Sequence, residues 1–106
     1  MGTRAENFAG LSVALVTPFR DGEVDVAALH QQIQFQADAG TTAICPVGTT
    51  GESPTLTHSE HEQVIAESIQ AAAGKLLVMP GTGSNSTAEA LRLTNYAAKE
   101  GADAAL

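Results

Sequence analysis

The chain has 106 residues, 43% of them apolar, and carries a formal net charge of −7 from 12 acidic and 5 basic residues. Nucleic-acid binding needs a basic stripe to displace phosphate counterions, and Arg4, Arg20, Lys75, Arg92 and Lys99 are scattered instead. No apolar run approaches the ~18 residues of a membrane span, and Met1 to Gly10 has no apolar signal region, so the expectation is a soluble, cytoplasmic protein with neither nucleic acid nor membrane as partner.

Met1-Gly2 opens a lipidation motif, but Glu6 stands where that motif takes Ser or Thr. Leu11 to Val16 is short, apolar and stopped by Thr17-Pro18, which predicts a buried strand. Arg20-Asp21-Gly22 predicts a turn, with Asp25 capping a helix whose inner stripe is Val26, Leu29, Ile33 and Ala37 and whose stop is Gly40. A second apolar strand, Ala43 to Val47, runs into Gly48-Thr49-Thr50-Gly51-Glu52-Ser53-Pro54. The lone Cys45 inside it cannot close an internal disulfide and reads as a buried structural thiol.

Thr57 and Glu60 form a capping box for the next helix, with Ile65, Ser68, Ile69 and Ala72 inward and Gly74 at its end. Leu76 to Met79 is a third strand, closed by Pro80-Gly81-Thr82-Gly83. A second capping box, Ser86 with Glu89, opens a third helix carrying Ala90, Leu91, Thr94, Ala97 and Ala98, ended by Gly101. Ala102 to Leu106 then begins a fourth strand.

The order β-α-β-α-β-α-β predicts a parallel sheet with helices outside it. Strand-end loops begin near Thr17, Gly48 and Gly81, a period of 31 to 33 residues. Eight such units make about 250 residues, the size of a TIM barrel. A flavodoxin-like sheet also uses these units but needs about five strands. The expected fold class is α/β, with residues 1–106 forming the N-terminal fragment, about three and a half βα units, of a single (β/α)8 TIM-barrel domain. An ending inside an apolar strand would leave a bare sheet edge, and the expectation is a truncated or partial chain.

Barrel active sites lie at the C-terminal ends of the strands. The three loops there, Thr17 to Phe19, Gly48 to Ser53 and Gly81 to Asn85, are rich in Gly, Thr and Ser. Between Gly48 and Gly51, two consecutive amides and two hydroxyls can hold a carboxylate without formal positive charge; the alternative is a Gly/Thr turn with no ligand. Neither glycine loop is a phosphate loop. The first lacks the Walker lysine, and the second has Ser86 at the third glycine position and follows the wrong strand. His58 and His61 share a helix face. They lack the converging ligands of a metal site, which leaves an exposed helix start or a ligand contact. His30 reads as a surface residue.

Ala14-Leu15-Val16-Thr17-Pro18-Phe19, Gly48 to Ser53, Thr55-Leu56-Thr57 and Gly81-Thr82-Gly83 together resemble the N-terminal part of the dihydrodipicolinate synthase family, in register from Gly10 to Leu106. N-acetylneuraminate lyase and keto-deoxy-sugar aldolases share its barrel, but Thr49-Thr50, Ser53 and Thr55-Leu56 resemble the synthase branch more. The resemblance implies condensation of pyruvate, held as a lysine Schiff base, with aspartate semialdehyde on the diaminopimelate route to lysine, with no cofactor and no metal. It implies that Thr50 binds the pyruvate carboxylate and that Thr49 relays protons between two tyrosines. The Schiff-base lysine would lie beyond Leu106, so residues 1–106 alone should be inactive. The full-length enzyme would be a homotetramer. Lysine would act as an allosteric effector at Ser53, His58, His61, Asn85 and Glu89, with Pro54 where a small residue is expected. Capping of the third helix is the competing role for Glu89. Open alternatives are a sister aldolase or lyase and a small α/β binding module.

Overall fold

The computed structural model describes residues 3–106; Met1-Gly2, where the lipidation motif would begin, lie outside the described residues. The elements run β1 (Ser12–Ala14), β2 (Phe19–Arg20), β3 (Glu23–Val24), α1 (Val26–Asp38), β4 (Ala43–Cys45), α2 (His58–Ala72), β5 (Leu77–Val78) and α3 (Thr87–Glu100), with 3-10 turns at Glu6–Phe8 and Ser53–Thr55.

β1, β4 and β5 pair in parallel in that order, with Ser12 opposite Ala43 and Ala43 opposite Leu77. A flavodoxin-like sheet would place its first strand between the second and third. Here each long-range strand lies beside its successor, as a barrel requires. The predicted fourth strand does not form as a regular one. Its backbone nonetheless follows β5: Asp103 N donates to Val78 O at 2.9 Å, Leu106 N to Pro80 O at 3.0 Å, and Thr82 N to Leu106 O at 2.9 Å. The expected turn at Arg20-Asp21-Gly22 forms. Asp21 and Gly22 both take positive φ (52° and 81°), closing a small antiparallel hairpin between β2 and β3.

Helix ends follow their local chemistry. Asp25 accepts from Ala28 N at 3.0 Å. Gly40, at φ 84°, lets Thr41 N reach Gln36 O and its own N reach Ala37 O, which satisfies two terminal carbonyls of α1. The Thr57–Glu60 capping box of α2 is complete in both directions, at 3.1 and 2.8 Å. The Ser86–Glu89 box is not. Ser86 makes no side-chain capping bond and its N–H donates to Ser84 Oγ at 3.3 Å, while the Glu89 carboxylate is taken by Arg92 and His58. The bond from the Arg92 cation is of the stronger, charge-assisted kind.

α1 packs on α2 and α2 on α3, and the core between helices and sheet is built from Leu15, Leu29, Ile33, Ile44, Val47, Val64, Ile65, Leu76 and Val78. Cys45 is buried among them, and burial pushes its thiol pKa up. Three expectations need correction. α3 turns Leu93 and Ala97 inward and leaves Leu91 61% exposed, so its apolar stripe is offset from the one expected. Within residues 3–106 β1 pairs on one side only, and Ser12 and Ala14 are exposed, so burial along the whole strand is not met by these residues alone. His30 is half-buried, with Nε2 2.8 Å from Glu67 Oε1, and ties α1 to α2.

Ser68 sits on the inner face of α2, fully buried, and its hydroxyl has no hydrogen-bond partner among the described residues. An unmet buried hydroxyl costs about 1–3 kcal/mol, and alanine is the better helix former. Ser68→Ala should therefore raise the melting temperature of the full-length protein by a few degrees; a lower value would mean the hydroxyl has a partner there.

Candidate functional site

The three strand-end loops converge. Thr17, buried just after β1, donates its hydroxyl to Gly51 O at 2.6 Å and pins the Gly48–Ser53 loop to the first strand. The loop folds on itself through Gly51 N to Gly48 O at 3.0 Å, Glu52 N to Thr49 O at 3.0 Å and Ser53 N to Gly48 O at 3.3 Å. Thr49 and Thr50 are exposed at its crest, and among the described residues neither of their amides donates to a protein carbonyl. Two free consecutive N–H groups beside two hydroxyls can bind an anion.

Val47, immediately before the loop, has φ 51° while its side chain is buried. A β-branched residue in this left-handed region is strained by about 1–3 kcal/mol and persists only where its surroundings hold it. Gly51 and Gly81 supply that hold. Either would bring an added Cβ to 2.9 Å from Val47 backbone atoms, so both must be glycine for the three loops to meet. Gly81 N donates to Pro46 O at 2.9 Å, and Gly81 O accepts from His61 Nε2 at 2.7 Å. His61 is thus buried, not part of an exposed helix start.

Two clefts flank this junction. One, of about 240 Å³, is lined by Val47, Gly48, Thr49, Ser53, Gly81 and Leu106; Thr50 stands on the crest beside it rather than among its lining residues. The other, of about 340 Å³, brings together Ser53, His58, His61, Asn85 and Glu89, with Pro54 at its wall. Ser53 lines both clefts.

The second cleft carries the charge. Glu89 Oε2 lies 2.7 Å from His58 Nδ1, and Glu89 Oε1 accepts from Arg92 Nε. Arg92 also reaches Glu62 Oε1 of α2 at 2.5 Å through Nη1. Hydrogen bonding from Arg92, with the charges of Arg92, His58 and His61 behind it, holds the Glu89 carboxyl below the usual carboxylate range. Arg92 and Glu62 were absent from the expected set. Arg92 was legible as an i,i+3 partner of Glu89, whereas Glu62 is 30 residues away and needs the packing of α2 on α3. No group of three or more His, Cys, Asp or Glu that could hold a metal ion occurs among the described residues. Neither Lys75, before β5, nor Lys99, in the last turn of α3, stands at the loop end of the sheet.

Residues 7–106 match the dihydrodipicolinate synthetase family. The chain is 56% identical over 99 residues to the 4-hydroxy-tetrahydrodipicolinate synthase of Ruegeria pomeroyi, covering 93% of this chain and 34% of that protein. The dihydrodipicolinate synthase crystal structure from Aquifex aeolicus superposes with a TM-score of 0.89 at 55% identity, over 91% of this chain and 33% of its own. The chloride-inhibited synthase of Acinetobacter baumannii, complexed with pyruvate, gives 0.88 at 46% identity, over 92% and 34%. The chain thus spans about a third of the length of the curated relatives it matches, and its fold is that of the N-terminal part of a (β/α)8 barrel.

Proposed function

Because the chain belongs to the dihydrodipicolinate synthetase family, we propose that the full-length enzyme condenses pyruvate with aspartate semialdehyde to give 4-hydroxy-tetrahydrodipicolinate. The observation that carries this reading is the Gly48–Ser53 loop, pinned by Thr17 and presenting the free amides and hydroxyls of Thr49 and Thr50 at the C-terminal end of the sheet. The pyruvate carboxylate accepts from the Thr50 hydroxyl and N–H. A lysine amine from outside residues 1–106 condenses with the keto carbon and releases water. The imine draws electrons from the methyl group, which loses a proton, and the resulting enamine carbon attacks the aldehyde carbon, whose oxygen takes up a proton to become the hydroxyl. The amine of the former aspartate semialdehyde then attacks the imine carbon and displaces the lysine amine, closing the ring and freeing the enzyme. No cofactor is called for, since the imine is itself the electron sink. The Thr49 hydroxyl, donor and acceptor at once, relays protons between tyrosines that also lie outside this chain. The active assembly is a cytoplasmic homotetramer.

The cleft at Ser53, His58, His61, Asn85 and Glu89 takes free lysine as effector. Glu89 faces the ammonium group and Asn85 the amino-acid head. Ser53 lines the Thr49 cleft as well, which gives the effector a physical route to the pyruvate loop.

The test is borohydride trapping and turnover with the full-length enzyme. The expected result is a pyruvate-dependent covalent adduct on one lysine, turnover of aspartate semialdehyde, and inhibition by millimolar lysine that Glu89→Ala relieves. Turnover of N-acetylneuraminate instead would move the protein to a sister activity, and no adduct at all would end the Schiff-base reading. Unchanged rates at saturating lysine would end the effector reading alone.

A further inference from the structure

Both oxygens of the one carboxylate that lines the cleft are already occupied. Glu89 Oε1 is held by Arg92 Nε and Oε2 by His58 Nδ1. His58 Nδ1 also lies 3.2 Å from Arg92 Nη2. If that nitrogen carries its proton toward Glu89, it cannot also accept from Arg92, so the two donors meet over one acceptor. The guanidinium is anchored from the far side by Glu62 of α2, which makes it a bridge between two helices rather than a freely swinging chain. Side-chain exposure is 18% for Glu89, 28% for Glu62 and 39% for Arg92, so this cation is half-sheltered and Glu89 is more so. A third cleft, of about 490 Å³, opens on the same group, lined by His58, Ser84, Asn85, Glu89 and Arg92.

We propose that Arg92 is a built-in competitor for the effector cleft: its guanidinium takes the place on Glu89 that an incoming ammonium group needs, and so sets a weak affinity for cationic amino acids. The inference rests on the effector reading above and adds to it the residue that tunes it. An arriving ammonium must share Glu89 or turn Arg92 fully onto Glu62, and Glu62 offers the guanidinium a carboxylate to turn to. The planar fork of arginine suits a bridge between two carboxylates, which the point charge of lysine does not reproduce.

Calorimetric titration of L-lysine into the full-length protein, with Arg92→Met, Arg92→Gln and Arg92→Lys beside the parent, tests it. Both neutral variants should bind about three- to fivefold more tightly than the parent, the range a part-exposed ion pair supplies. The gap should narrow as salt screens the pair, and Arg92→Lys should fall between. Tighter binding by the neutral variants supports the proposal even if the parent's own binding is too weak to register. Binding by the parent with equal or weaker binding by both neutral variants overturns the competitor role and leaves the effector reading standing. No lysine binding by the parent or by any variant overturns both.

Discussion

Gly81→Ala in the full-length enzyme should lower the melting temperature by about 5–10 °C, the shift expected for roughly 3 kcal/mol in a chain of this family's size. Overpacking a core costs about 1–3 kcal/mol when side chains can adjust. At Gly81 the obstacle is backbone. The added methyl would stand 2.9 Å from the Val47 carbonyl carbon, closer still to its oxygen, and 3.0 Å from Gly48 Cα. Gly81 cannot step back, because its N–H is bound to Pro46 O and its carbonyl to His61 Nε2. Val47, already strained at φ 51°, cannot turn further without losing its buried side chain. Gly48→Ala is the control: an added Cβ there meets nothing within 4 Å, and its stability should stay within about 0.5 kcal/mol of the parent. Equal melting temperatures for the two variants would show that the loops do not meet at Val47 in the way described.

That junction marks where the sequence stops being readable. Helix ends were legible because their determinants are local: Asp25, the Thr57–Glu60 pair, Gly40 and Gly101 each act on backbone within four residues. The barrel-type arrangement was legible from the spacing of three strand-end loops, and the strand order agrees with it. All five expected effector residues line one cleft, yet the bonding within it was not legible. The Ser86–Glu89 spacing satisfies the capping-box pattern, but the Glu89 carboxylate is taken by the Arg92 cation and by His58, and the Ser86 N–H turns to Ser84 Oγ. Offset of the α3 stripe to Leu93 and Ala97 depends on where α2 lies, and burial of His61 depends on the Gly81 carbonyl, 20 residues on. The left-handed Val47 left no trace in the sequence. Only Gly51 and Gly81 hinted that backbones approach closely there.

Thr50→Val in the full-length enzyme should cut kcat/KM for pyruvate by about ten- to a hundredfold, and Thr49→Val should lower kcat with a smaller change in KM. The two residues are neighbours on one exposed crest, so position alone cannot separate them; the chemistry assigned to each does. Valine keeps the β-branched shape of threonine and removes only the hydroxyl. On the proposed assignment the loss at Thr50 is one hydrogen bond to a carboxylate, and a charge-assisted bond of this kind is worth about 1.5–3 kcal/mol. It acts on the substrate throughout the reaction, so KM should rise with most of the effect in kcat/KM. On the same assignment the Thr50 amide would still donate, so the loss should stop short of inactivity. On the proposed assignment the Thr49 hydroxyl passes protons without holding pyruvate, so its removal should slow the proton-transfer steps and leave binding largely intact. Neither change should alter stability, because neither hydroxyl takes part in a hydrogen bond among the described residues and the loop is held by backbone bonds and by Thr17. Matching kinetic profiles for the two variants would remove the division of labour, and parental kinetics in both would show that the Gly48–Ser53 loop is a turn with no ligand.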